Sequence, residues 1–371
     1  MRLLTTSLMG LAGFVAAGCG STSQDPNPVG GDAAADVTIV DASTEAGLPA
    51  TVVYEVSYFR LGVSTRDGEE DPDAWKQYGF DLDGICTSEL QSETSEGTCL
   101  REPKSKVNVL ADGDHCIDNN FGSQLVPLVK VLGGDLEKNL VDGLAKGGAT
   151  LVIQLRDLEQ TGADPSVPGA LFAGKSASGA SLLDGTDVMD VDETSVVDHD
   201  LTKPIAVLDG KVEVIDGKRV WSARAETMSL PVVFIAGATG AIPVRDVRLE
   251  IDLETGRGTV GGYSLIADIA TIVNALLAKN KICPGSIIYD SAQTNVGQGV
   301  DMPAALPHDP TAPCVSISLG IGFEVTKASL GKVYPTPPPP VDNCAKPDAG
   351  PPDVGPPDAA PTDVDPPDAG P

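Results

Sequence analysis

Five aspartates carry the most chemically suggestive spacing in this chain. Asp81 and Asp83 lie in Phe80-Asp81-Leu82-Asp83-Gly84; Asp112, Asp114 and Asp118 lie in Asp112-Gly113-Asp114-His115-Cys116-Ile117-Asp118, which runs on into Asn119-Asn120-Phe121-Gly122. Carboxylates on alternate residues of a Gly-rich loop are hard oxygen ligands that can converge on one cation, and folding such a loop without the ion leaves like charges crowded together. Calcium is the expected cofactor, because magnesium resists dehydration. Asp112, Asp114 and Asp118 are the expected ligands, with Asp81 and Asp83 contributing from the neighbouring loop. The pattern is not an EF-hand: counting from Asp112, Ile117 stands where that loop needs Gly and Ser123 where it needs a bidentate Glu. The competing reading is a pair of Asx turns whose aspartates accept backbone amides.

Other constellations carry less. Gly169-Ala170-Leu171-Phe172-Ala173-Gly174-Lys175-Ser176 matches the phosphate-loop pattern G-x-x-x-x-G-K-[ST]. Its chemistry needs a preceding strand, a loop of free amides and a helix starting at the lysine. Val167-Pro168 before it and Ala177-Ser178-Gly179 after it offer none of these, so an ordinary strand and loop is the reading and no nucleotide is expected. Three histidines, His115, His199 and His308, and no G-x-S-x-G elbow leave nucleophilic hydrolysis without a visible base. Asp198-His199-Asp200 reads as a surface turn. Paired carboxylates suited to acid and base work on polysaccharide keep an exported hydrolase as the alternative function, although an acidic chain supplies such pairs by chance.

Compartment follows from the N-terminus. Arg2, an apolar run from Leu3 to Ala17, and Ala16-Ala17-Gly18-Cys19 form an export signal too short for a confident membrane span. It resembles the lipobox of bacterial lipoproteins, with Ala16 where Leu is usual. The resemblance implies cleavage before Cys19, a lipid on its thiol, and a protein anchored to the outer membrane facing the periplasm or the cell surface. Six further cysteines, Cys86, Cys99, Cys116, Cys283, Cys314 and Cys344, contain no C-x-x-C pair; an even number in an exported chain points to disulfides rather than zinc. The expected pairs are Cys283 with Cys314, Cys86 with Cys99, and Cys116 with Cys344.

A net charge of -28 argues against nucleic acid and anionic surfaces as partners and favours a soluble monomer; a cell-envelope partner or polysaccharide stays open. Residues 1–18 read as signal peptide and 19–49 as a disordered acidic tether. Residues 335–371, with a Pro-Pro-Asp pentad repeat, read as a Pro/Asp-rich tail in extended polyproline form. Between them, 50–334 is a β-rich globular domain.

The elements that must position the aspartates are mostly strands. Val52 to Val63 and Thr150 to Leu158 are rich in β-branched and apolar residues, and Val247 to Leu253 alternates strictly. Asp209-Gly210, Asp216-Gly217, Gly237 to Gly240 and Thr255-Gly256 punctuate Ile205 to Val260 as a meander or sandwich would. Leu265 to Lys279 has apolar residues at helical spacing. Gly122 to Lys146 is a second helical candidate, interrupted at Pro127 and Gly133-Gly134, with Leu136, Leu140, Val141 and Leu144 as its buried stripe. The expected fold is therefore mainly β, a two-layer sandwich-like or meander sheet with one or two packed helices between disordered acidic ends.

Gly79-Phe80-Asp81-Leu82-Asp83-Gly84, Asp118-Asn119-Asn120-Phe121-Gly122, Gly258 to Tyr263 (GTVGGY) and Cys314 to Phe323 (CVSISLGIGF) resemble motifs of exported lipoproteins of myxobacterial type. That family carries no assigned activity, so the resemblance implies compartment and kinship and supplies no catalytic residue. The function expected is a lipid-anchored binding or structural module of the cell envelope.

Overall fold

The computed structural model describes residues 49–88, 99–101, 110–133, 136–231, 241–306, 309–336 and 343–344. Cys19, the signal peptide, the acidic tether up to residue 48, His308 and the repeat beyond Cys344 lie outside these residues. Eleven strands run in chain order as β1 (Ala50–Arg60), β2 (Thr150–Leu158), β3 (Gly169–Ser176), β4 (Val188–Asp192), β5 (Val196–Val197), β6 (Asp200–Pro204), β7 (Ala206–Ile215), β8 (Lys218–Pro231), β9 (Ala241–Asp252), β10 (Arg257–Leu265) and β11 (Ser316–Tyr334). Eight of them close into a ring, β1-β2-β3-β7-β8-β9-β10-β11, in which every neighbouring pair is antiparallel and β11 returns to β1. Closure removes the exposed edges that an open sheet would present.

The mainly β character and the packed helices are as the sequence implies. The sheet curls into a barrel rather than splitting into two layers because β11 is 19 residues long. Its first half pairs with β10, its middle with β1, and its end runs parallel to β4. The phosphate-loop match is the whole of β3, paired in turn with β2, β7 and β4. Its backbone is extended strand, not a phosphate cradle.

Period-two patterning fixes the core. Val247, Leu249 and Ile251 of β9 and Ile317, Leu319, Ile321 and Phe323 of β11 are buried in the main cluster, as are Leu151, Ile153 and Leu155 of β2. Trp221 is fully buried, its indole N–H donating to the Val167 carbonyl at 2.9 Å, with Gly169 and Gly210 leaving room for the ring. The alternate residues of β1, β2 and β3, including Val53, Val152, Ala170 and Phe172, feed a smaller core with Met189 and Val191 of β4, Val196 of β5 and Leu330 of β11. Both faces of β1 and β2 are thus covered. The short hairpins use turn residues at positive φ: Asp198 and His199 (54° and 56°) between β5 and β6, Asp216 and Gly217 (49° and 80°) between β7 and β8. His199 therefore sits on a surface turn.

Among the described residues four α-helices join the strands: α1 (Val126–Gly133) and α2 (Leu136–Leu144) between β1 and β2, and α3 (Ile266–Lys279) and α4 (Ile287–Gln298) between β10 and β11. The antiparallel register puts both helix pairs at one end of the barrel. α3 buries Ile269, Val273, Leu276 and Leu277, the stripe read from its spacing. Pro127 does not interrupt its helix, since a wide π turn at Phe121–Leu125 leads straight into α1. α4 has no such stripe: it buries Ala292 and Val296 while Ile287 is 85% exposed, and this is why periodicity misses it. Glu137 of α2 is buried and accepts the amides of Leu61 (2.6 Å) and Val63 (3.0 Å), tying the helix to the exit of β1.

All six body cysteines are paired, but in a different order from that expected: Cys86–Cys116, Cys99–Cys314 and Cys283–Cys344. The physical reason is chain pairing around each cysteine. A bridge between Phe80 and Asp118 lays the first two loops side by side, and a parallel bridge between Leu100 and Pro313 brings Cys99 to Cys314. Cys283, between α3 and α4, is left for Cys344, where Asn343 also donates to the Lys279 carbonyl at 3.3 Å. Closeness in sequence is a poor guide when the partners are set by a closed sheet.

Candidate metal centre

The outward face of β10 and β11 is made mostly of small residues, with Tyr263 the large exception. Opposite the buried Ile317, Leu319 and Ile321 stand Ser316, Ser318 and Gly320, and β10 offers Thr259 and Gly261. The loops after β1 lie directly on this surface. A Cβ at Gly320 would collide with the Tyr78 carbonyl, and one at Gly261 would stand 2.7 Å from the Phe80 ring. Asn119 locks the approach: its Oδ1 accepts the amides of Gly122 and Gly320, each at 3.0 Å. The Asn120 amide donates to Ser318 Oγ at 2.8 Å. The segments containing Phe80, Asn119, Gly261 and Gly320 meet here.

At this meeting point Asp81, Asp83 and Asp118 each present a carboxylate oxygen, all within 4.8 Å of one another. The Asp118 amide donates to the Phe80 carbonyl at 3.0 Å, and its Oδ2 accepts the amides of Leu82 at 2.7 Å and Asp83 at 3.4 Å. Asp81 accepts from Gly84 and Asp83 from Ile85, each at 2.7 Å. Asp112 accepts the Thr87 amide at 2.5 Å, and the Cys86–Cys116 disulfide clamps the two loops beside it. The aspartates therefore do form Asx-type turns, and the turns converge. A carboxylate with one or two lone pairs given to amides still has others to offer.

Asp114 does not join them. The chain turns tightly between Gly113 and Ile117, with the Gly113 amide on the Ile117 carbonyl at 2.7 Å and His115 and Cys116 at φ 55° and 65°. Alternation holds only along extended backbone, and this turn leaves Asp114 and His115 exposed. Asp301, which lies outside the spaced aspartate pattern, stands nearby instead. It holds the Ser318 amide (2.8 Å) and hydroxyl (2.5 Å) and faces the same acids from the start of β11. It stands alone in its stretch of sequence, so only the β11 pairing reveals it.

The crowding is electrostatically costly. Burial, reinforced by Asp83, Asp112 and Asp301, pushes the Asp118 carboxyl up to about 10. Burial with Asp83, Asp301 and Asp81 raises Asp112 to about 7, and burial with Asp83 raises Asp301 to about 7. Arg248 donates to the carbonyls of Asp81 (2.6 Å) and Leu82 (3.4 Å) and pairs with Asp246, while Arg101 lies within electrostatic reach of Asp301. An all-oxygen, strongly anionic donor set of this kind fits a hard divalent cation. Comparison with known protein families, curated proteins and solved structures finds no match to this chain.

Proposed function

We propose that the protein is an exported, lipid-anchored module of the cell envelope whose barrel is braced by calcium, with a binding or structural role rather than a catalytic one. The observation that carries this reading is the convergence of Asp81, Asp83 and Asp118 on one point, with oxygens within 4.8 Å. Asp112 and Asp301 stand outside this trio and add negative charge around it. The ion joins the loops after β1 to the outer face of β10 and β11 and cancels the repulsion among the acids. Calcium at millimolar external concentration fills even a weak site of this class. The signal ending at Cys19 supports the anchor, and the acidic composition supports cations as the natural counterpart.

Thermal unfolding with and without calcium tests the reading. Calcium at about 100 times its Kd should stabilise by roughly 2.7 kcal/mol through binding to the folded state alone. Magnesium should do much less, and Asp118→Asn or Asp83→Asn should remove the part of the calcium response that this cluster contributes. A wild-type protein whose melting temperature ignores millimolar calcium would sink the proposal and leave the aspartates as turn residues.

A further inference from the structure

Glu55 lies on β1 between Val152 of β2 and Thr326 of β11, on the same face as Val53, and is 0% exposed. It is covered by the loop that leads into β4. Asp187, at the end of that loop, accepts the amides of Leu182 and Leu183 with its carboxylate, while its carbonyl takes the Ser329 amide at 2.9 Å. Asp187 and Ser181 are the side chains set against Glu55, with Asp184 beyond them. Yet both carboxyl oxygens of Glu55 and the hydroxyl of Ser181 are buried without a hydrogen-bond partner. Three orphaned oxygens beside a second carboxylate form an incomplete shell.

We propose that Glu55, Asp187 and the Ser181 hydroxyl form a second, enclosed site for a divalent cation of calcium size, separate from the aspartate cluster on the outer face of β10 and β11. A proton shared by Glu55 and Asp187, with the Ser181 hydroxyl turned to Glu55, leaves only contacts too long for good hydrogen bonds. A doubly charged ion engages all three orphaned oxygens at once and cancels both carboxylate charges. The enclosure disfavours magnesium, which retains several waters, whereas calcium accepts irregular all-oxygen shells. Such an ion pins the loop before β4 to β1 and so fastens the smaller core to the barrel. Burial, then the neighbouring Asp187 carboxyl, raises Glu55 to about 8.

Calorimetric titration of the full mature chain with calcium chloride decides this. Two ions should bind per chain, Glu55→Gln should leave one, and Asp118→Asn should leave the other. Should Glu55→Gln fold poorly, Ser181→Ala should weaken this ion by about tenfold and leave the other unchanged. A single ion abolished by Asp118→Asn and untouched by Glu55→Gln overturns the second site and leaves the first; the reverse result overturns the first and leaves the second. Binding that neither variant alters, or no binding at all, overturns both.

Discussion

Asp118 is a carboxyl group whose surroundings favour its neutral form, and this has a measurable consequence for pH. A carboxyl whose folded value is raised holds its proton more tightly in the native state, so its stabilisation is complete below the unfolded value near 4 and is lost as pH rises through the folded value. For Asp118 that window runs to about 10, for Glu55 to about 8, and for Asp112 and Asp301 to about 7. Without divalent cations the melting temperature should therefore fall as pH is raised from 5 to 9. With saturating calcium the slope should reverse, because the ion binds the ionised forms; Asp118→Asn should flatten the calcium-free profile. Circular dichroism melts across this range check all three. Asp81, Asp83, Asp112 and Asp118 were legible because alternate acids near glycine stand out in one dimension. Asp301 and Glu55 were not. Asp301 is a lone acid beside a β11 residue, and Glu55 alternates in β1 like a solvent-facing residue, but its face is covered by the β4 insertion.

At the scale of elements, strands were readable where one face meets core, and Asp216-Gly217 and Thr255-Gly256 do turn; Asp209-Gly210, which also reads as a turn, instead lies inside β7 paired with Arg224 and Ala223 of β8, and Gly237 to Gly240 lies outside the described residues. Closure of the ring was not, since it depends on one long strand finding three partners in succession. The cysteine pairs failed for the same reason: they report which loops the barrel brings together. Peptide mapping under non-reducing conditions should recover Cys86–Cys116, Cys99–Cys314 and Cys283–Cys344. The junction of α2 with β1 gives a sharper test. Glu137→Leu deprives the amides of Leu61 and Val63 and the Ser64 hydroxyl of their acceptor in a buried setting. Each stranded donor costs about 1 to 3 kcal/mol, so urea denaturation should show a loss of at least roughly 3 kcal/mol, whereas breaking the exposed pair Lys138–Asp142 on the same helix should leave the midpoint essentially unchanged.

For the molecule as a whole, the two ends of the chain carry expectations that follow from composition. Cys19→Ser should abolish partitioning into the detergent phase, as the thiol is the expected lipid carrier; retention there would point to another anchor. Removing Ala345 to Pro371 should leave the melting temperature unchanged, since that segment offers no core-forming side chains larger than Val. The disulfide between Cys283 and Cys344 gives the tail a mechanical meaning. Tension applied to anything held beyond Cys344 passes through the sulfurs into the loop between α3 and α4. Residues 284–343, including all of β11, are bypassed. The strand that closes the barrel is thereby spared the peeling force that its place near the end of the chain would otherwise expose it to.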